Sequence, residues 1–184
     1  MMRVREAVDA MENLPFLGLD ALAMTGLVIL APHPDDESLG CGGLIASARA
    51  AGIDVRIVIV SDGTGSHPNS RDYPQARLRA LRESEVVEAA AALGVAADAV
   101  EFLRLPDRFV TSSGPAADAA IAKISATVAA CHASHMAATW RHDPHCDHQA
   151  TFELAVSVRC LHRDLRLLDY PIWGAHPPAR IWAG

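Results

Sequence analysis

No run of apolar residues in this 184-residue chain approaches the length of a helical bilayer crossing, which takes about 20 consecutive apolar residues. Clusters of Lys and Arg are also missing: 16 basic residues are outweighed by 22 acidic ones, for a formal charge of −6. Nothing is present to grip the phosphates of a nucleic acid, so none is expected as a partner. The first 22 residues interleave Arg3, Arg5, Glu6 and Asp9 with apolar positions and lack the unbroken apolar centre of a signal peptide. A cytoplasmic location is the expectation, with 1–22 as an N-terminal extension or helix. Cysteine is sparse. Cys41, Cys131, Cys146 and Cys160 are too irregularly spaced for a disulfide scaffold and read as reduced thiols. No internal repeat or low-complexity tract occurs.

What is present is 51% hydrophobic residues, enough for a single domain over 1–184 with one sizeable core. Short β-branched runs at 26–31, 55–61, 99–104, 136–140 and 165–172 alternate with Ala-rich stretches of helical period at 38–51, 75–93, 115–130 and 148–161. Gly52 and Gly94 stand where two of these helices should stop. The alternation predicts an α/β, Rossmann-like doubly wound sheet of about five strands, mostly parallel, with helices on both faces. The segment 174–184, with Pro177 and Pro178, reads as an irregular tail.

Three loops interrupt the rhythm, at 32–37, 62–73 and 141–147, and each follows an expected strand. In open α/β sheets ligands bind beyond the carboxyl ends of the strands, so these loops should converge. The first contains Pro32-His33-Pro34-Asp35-Asp36-Glu37. Three carboxylates at the mouth of a buried strand repel one another unless a cation neutralises them, and a divalent metal is the simplest such cation. Helix capping accounts for one or two acids but not for His33. The third loop leads into the next helix as Arg141-His142-Asp143-Pro144-His145-Cys146-Asp147-His148, which holds three of the nine histidines. That density beside carboxylates points to metal ligation with supporting hydrogen bonds. Two imidazoles, one carboxylate and water form a common open, catalytic zinc arrangement.

The pairing of Pro-His-Pro-Asp-Asp-Glu with a later His-Xaa-Asp-His resembles the LmbE-like (PIG-L) family of zinc-dependent N-acetylglucosamine deacetylases. The run from Arg82 through Glu85 to Leu93-Gly94, the Leu-Arg-Leu-Pro-Asp ending at Asp107, and Asp62-Gly63 are similar to further parts of it. Cys146 departs from the usual proline. The resemblance implies His33, Asp36 and His148 as zinc ligands, with Fe²⁺ or Co²⁺ as other occupants of such a donor set. It implies Asp35 as the base that activates water, and His145, oriented by Asp147, beside the oxyanion. Arg82 and Asp62 are candidates for contacts to the sugar; for Arg82, a surface ion pair with Glu85 reads equally well.

The expected activity is removal of an acetyl or other acyl group from an N-acetylglucosamine-type amide, with a small N-acylated sugar or glycoconjugate as partner. The alternatives are a zinc amidohydrolase acting on a non-sugar amide and a non-catalytic module that holds zinc and sugar. Gly40-Cys41-Gly42-Gly43 is a decoy for a dinucleotide fingerprint, because His33 to Glu37 already fill the turn where phosphate would sit. Cys131, His132 and His135 fall at a helix end, where histidine is favourable without a metal.

Overall fold

The computed structural model describes residues 17–173 together with Asn13 and Pro15. The expected 174–184 tail and most of the 1–22 extension lie outside the described residues; within the latter, Leu19–Leu22 forms one helical turn. Five strands follow in order, β1 (Gly26–Ala31), β2 (Asp54–Ser61), β3 (Val100–Leu105), β4 (His135–Thr139) and β5 (Arg166–Tyr170). They alternate with four helices, α1 (Asp36–Ala50), α2 (Gln75–Ala92), α3 (Pro115–Ala130) and α4 (Cys146–Leu161). Every pairing is parallel and the spatial order is β3-β2-β1-β4-β5. The sheet is therefore wholly parallel.

β1 lies at the centre and is buried along its full length, so its alternating side chains divide the core in two. Leu27, Ile29 and Ala31 meet Ile45 and Ala48 of α1 and Val86 and Ala90 of α2. Val28 and Leu30 meet Ala117, Ala120, Ile124 and Val128 of α3 and Leu154, Ala155 and Val158 of α4. The α3 residues recur at steps of three and four, and Leu154 and Ala155 of α4 stand four and three before Val158, which turns one stripe of each helix inward. Full burial of each large aliphatic side chain contributes roughly 1.5–3 kcal/mol. Two helices thus cover each face.

α1 and α4 each begin two residues earlier than the apolar pattern predicts, at Asp36 and Cys146. Asp36 and Asp147 lie in the first turns, where a negative charge complements the amino end of the helix. Asp36, Glu37, Asp147 and His148 are in this way part of the opening turns of the helices, and the fold fixes their direction.

Candidate metal and catalytic site

β1 and β4 are neighbours, yet the chain leaves β1 toward β2 and β3 and returns on the other side to β4 and β5. This is the switch point at which an open parallel sheet forms a crevice beyond its carboxyl ends. His33 and Asp36 follow β1, while Asp143, His145, Asp147 and His148 follow β4. Gly65 and Ser66, after β2, and Asp107 and Arg108, after β3, complete a cleft of about 380 Å³.

Three side-chain atoms converge at its base. His33 Nδ1 lies 3.2 Å from Asp36 Oδ2, His148 Nε2 lies 3.3 Å from the same oxygen, and the two nitrogens are 3.3 Å apart. Donors about 2.0–2.1 Å from a tetrahedral metal stand about 3.3 Å from one another, so the triangle fits such an ion. The other ring nitrogens set the required tautomers. His33 Nε2 is 3.1 Å from Asp147 Oδ2 and 3.3 Å from Asp107 Oδ1, and His148 Nδ1 is 3.2 Å from Asp143 Oδ1. These carboxylates favour protons on His33 Nε2 and His148 Nδ1, so a bound metal would take the lone pairs of His33 Nδ1 and His148 Nε2 beside Asp36. His33, His145 and His148 form a second close grouping of donors, with the His145 ring 4.7 Å from that of His33. The donor atoms of His33, Asp36 and His148 stand 3.2–3.3 Å apart, and the His145 ring centroid lies 4.7 Å from that of His33 and 5.0 Å from that of His148.

Electrostatics agree with a cation site. Burial draws the His33 imidazolium down, but the carboxylates of Asp107, Asp147 and Asp36 outweigh it and raise its pKa to about 11. Burial works against the charged form of Asp36 too, yet His148 and His33 hold its carboxyl far below the usual range. His145 is shifted the opposite way, downward, by burial and by the positive charges of His33 and His148. Its Nδ1 accepts the backbone N–H of Asp147 at 3.2 Å, so a neutral ring carries its proton on Nε2 and remains a donor.

Asp35 sits at the rim of the cleft with its side chain 59% exposed. Its backbone has φ 123°, a conformation that costs a residue with a side chain on the order of 1–3 kcal/mol. Glu37 holds it there: Glu37 is 1% exposed, and its Oε2 accepts the Asp35 N–H at 3.0 Å. Partial burial and the charge of Asp36 push the Asp35 carboxyl up to about 6, against the pull of Arg82.

A sequence profile described as GlcNAc-PI de-N-acetylase (PIG-L) matches residues 28–159, a span that contains every residue of this cleft except Ile172 and Trp173. The chain belongs to the PIG-L family. A 1D-myo-inositol 2-acetamido-2-deoxy-alpha-D-glucopyranoside deacetylase of Mycobacterium sp. (strain KMS) is 37% identical over 100 residues, 49% of this chain and 32% of that one. N,N'-diacetylchitobiose deacetylase from Pyrococcus horikoshii superposes with a TM-score of 0.68 at 23% identity, over 86% of this chain and 56% of that one. The 4-carboxy-2-hydroxymuconate hydratase of Pseudomonas putida KT2440 superposes at 0.65 with 20% identity, over 74% and 56%. The chain spans about a third of the mycobacterial relative and just over half of each of the other two.

Within this PIG-L site several expected residues have contacts that the spacing did not indicate. The Asp147 carboxylate does not reach His145; it accepts from the backbone N–H groups of Arg108, at 2.7 Å, and Val110, at 3.2 Å, besides approaching His33. Its link to His145 is the backbone N–H. Arg82 turns away from Glu85: it donates to Gly63 O at 3.0 Å and to Pro34 O, and pairs with Asp35 at 3.2 Å. It clamps two loops together while lining the cleft. Asp62 Oδ1 is turned into its own loop, accepting from Thr64 N, Thr64 Oγ1 and Asp107 N. His142 is exposed, whereas Asp143 is fully buried against His148. Cys146 is exposed at the rim of the motif.

Two carboxylates that contact the candidate site, Asp107 and Glu37, have no role that the sequence assigns. Asp107 is the fourth residue set at a strand end, a signal that the rule for strand carboxyl ends contains. Glu37 was visible only as one acid among three.

Proposed function

We propose that this chain is a metal-dependent N-deacetylase that hydrolyses the amide of an N-acetylglucosamine-type sugar, with Zn²⁺ as the metal. The observation that carries the reading is the triangle of His33 Nδ1, Asp36 Oδ2 and His148 Nε2, with edges of 3.2–3.3 Å, beside a separate carboxylate at Asp35. The deacetylases among the relatives support the substrate class. Fe²⁺ or Co²⁺ suits the same donors, and availability often decides among them.

When bound, the metal supplies Lewis-acid chemistry, acidifying water and polarising the amide carbonyl. Asp35, an ionised carboxylate beside but outside the ligand triangle, takes a proton from the attacking water as its oxygen bonds to the carbonyl carbon. The oxyanion that develops faces His145, whose Nε2–H donates to it. As the C–N bond breaks, the proton held by Asp35 passes to the departing nitrogen, so a carboxylic acid and a free amine result and Asp35 is again ionised; the acid then gives its proton to the amine or to solvent. Asp107 and Asp147 hold the His33 proton on Nε2, and the charge of Asp143, 3.2 Å from His148 Nδ1, favours a proton there. Arg82 fixes Asp35 and the loop that bears it.

The test is Asp35→Asn. The variant should keep one zinc per chain while its release of amine from N-acetylated sugars falls on the order of 10²–10⁴-fold. Full activity in a correctly folded Asp35→Asn protein would remove Asp35 from the mechanism.

A further inference from the structure

The cleft has two unlike sides, and the strand order separates them. Asp35, Arg82, Asp107 and Arg108 come from the β1, β2 and β3 side. Leu39, Ile172 and Trp173 form an apolar wall where α1 meets the segment leaving β5. Gly40 makes that meeting possible, because a Cβ there would stand 2.9 Å from Ile172 Cδ1 and 2.3 Å from Tyr170 Cδ2. Two large apolar side chains of this wall remain open: Leu39 is 73% exposed and Trp173 is 59% exposed.

The position of Trp173 is fixed from beneath. Its backbone N–H donates to Asp143 Oδ2 at 2.9 Å and that of Ile172 donates to the same oxygen at 3.2 Å. Asp143 is 0% exposed, and its other oxygen stands against His148. One buried carboxylate thus ties the wall to the ligand triangle. An indole anchored through its backbone and exposed in the lining of the cleft offers a flat apolar face to whatever enters it.

We propose that Trp173 is the specificity-determining residue of the cleft, receiving the apolar C–H face of the pyranose ring that carries the amide. A pyranose has a polar rim of hydroxyls and faces made of C–H groups, which matches a cleft with one polar and one apolar side. An acyclic amide has no such face. This assignment rests on the deacetylase reading for the identity of the ligand, and its test is a binding measurement separate from turnover.

The experiment is calorimetric titration of N,N'-diacetylchitobiose into the zinc-loaded Asp35→Asn protein and into the same protein carrying Trp173→Ala or Trp173→Phe. Loss of the indole should weaken binding about tenfold or more, with Trp173→Phe recovering most of it and zinc content unchanged in all three. Equal affinity with and without the indole overturns the assignment, as does absence of sugar binding in the parent protein. The deacetylase reading fails differently. Sugar binding that depends on Trp173, with no amine released by the unsubstituted enzyme, would sink the reaction and leave the platform. Amine release with no dependence on Trp173 would do the reverse.

Discussion

The backbone N–H of Asp35 donates to Oε2 of Glu37 at 3.0 Å, and Asp35 is held at φ 123°. A buried carboxylate therefore stabilises a strained conformation at the proposed base, and its second oxygen accepts from Ser38 Oγ at 2.7 Å. Glu37→Ala should lower kcat about 10²-fold by letting Asp35 relax, with little change in KM and zinc still bound. Glu37→Gln, which keeps an acceptor, should restore much of the rate. Steady-state kinetics on the two variants check this, and an unchanged kcat in Glu37→Ala would show that the hydrogen bond is incidental.

Gly40 is the position in the Gly40-Cys41-Gly42-Gly43 cluster that packing requires. An added Cβ would meet the buried Tyr170 ring at 2.3 Å, whereas nothing lies within 4 Å at Gly42 or Gly43. Denaturant unfolding should find Gly40→Ala destabilised by about 1–3 kcal/mol. Gly42→Ala and Gly43→Ala, inside α1, should instead be neutral or stabilising by up to about 1 kcal/mol.

Tyr170 is 6% exposed and donates its phenol to Leu30 O at 2.9 Å. Burial, reinforced by Cys41 and the carboxylates of Asp36 and Glu37, raises its pKa well above the ordinary value. A raised folded pKa contributes stability that is fully present below about 10, where the unfolded phenol titrates, and is lost progressively above it. In a Tyr73→Phe protein, where Tyr170 is the sole tyrosine, tyrosinate absorbance should appear together with loss of the helical signal. Phenolate formation in the intact fold would contradict this.

Cys146 and Cys160 are exposed, and Cys41 and Cys131 are buried. Burial and the charge of Glu37 push the Cys41 thiol up to about 12, and burial raises Cys131 as well. Because the thiolate is the reactive form, a disulfide reagent should titrate Cys146 and Cys160 in the native protein. Cys41 and Cys131 should react only after unfolding. Early modification of Cys41 would mean that α1 opens readily.

Periodicity located the elements well: each of the five strands and four helices lies within two residues of where the pattern put it. The parallel sheet and the convergence of His33, Asp36, His145 and His148 follow from the same alternation, because strands that enter from one end must deliver their loops to the other. What spacing does not carry is the direction of a side chain. Arg82 and Glu85 are neighbours along α2, but Arg82 faces Gly63 and Pro34 across the loop interface. Asp147 is adjacent to the His145 motif, yet its carboxylate faces the loop after β3. Asp107 lies 74 residues beyond His33 in sequence and 3.3 Å from it in space, a proximity that only the packing of β3 beside β2 and β2 beside β1 creates. Among the described residues, no helix is long and apolar enough to cross a membrane, consistent with the absence of such a run in the sequence.

The most direct measurement is amine release from a panel of N-acetylated sugars by the metal-stripped protein, with and without added Zn²⁺. The expected result is silence without metal, release from at least one sugar when zinc is restored, and loss of both zinc and activity in His148→Ala. Zinc bound at one per chain with no amine released from any sugar would contradict the proposed reaction, and equal release with and without metal would contradict the proposed site.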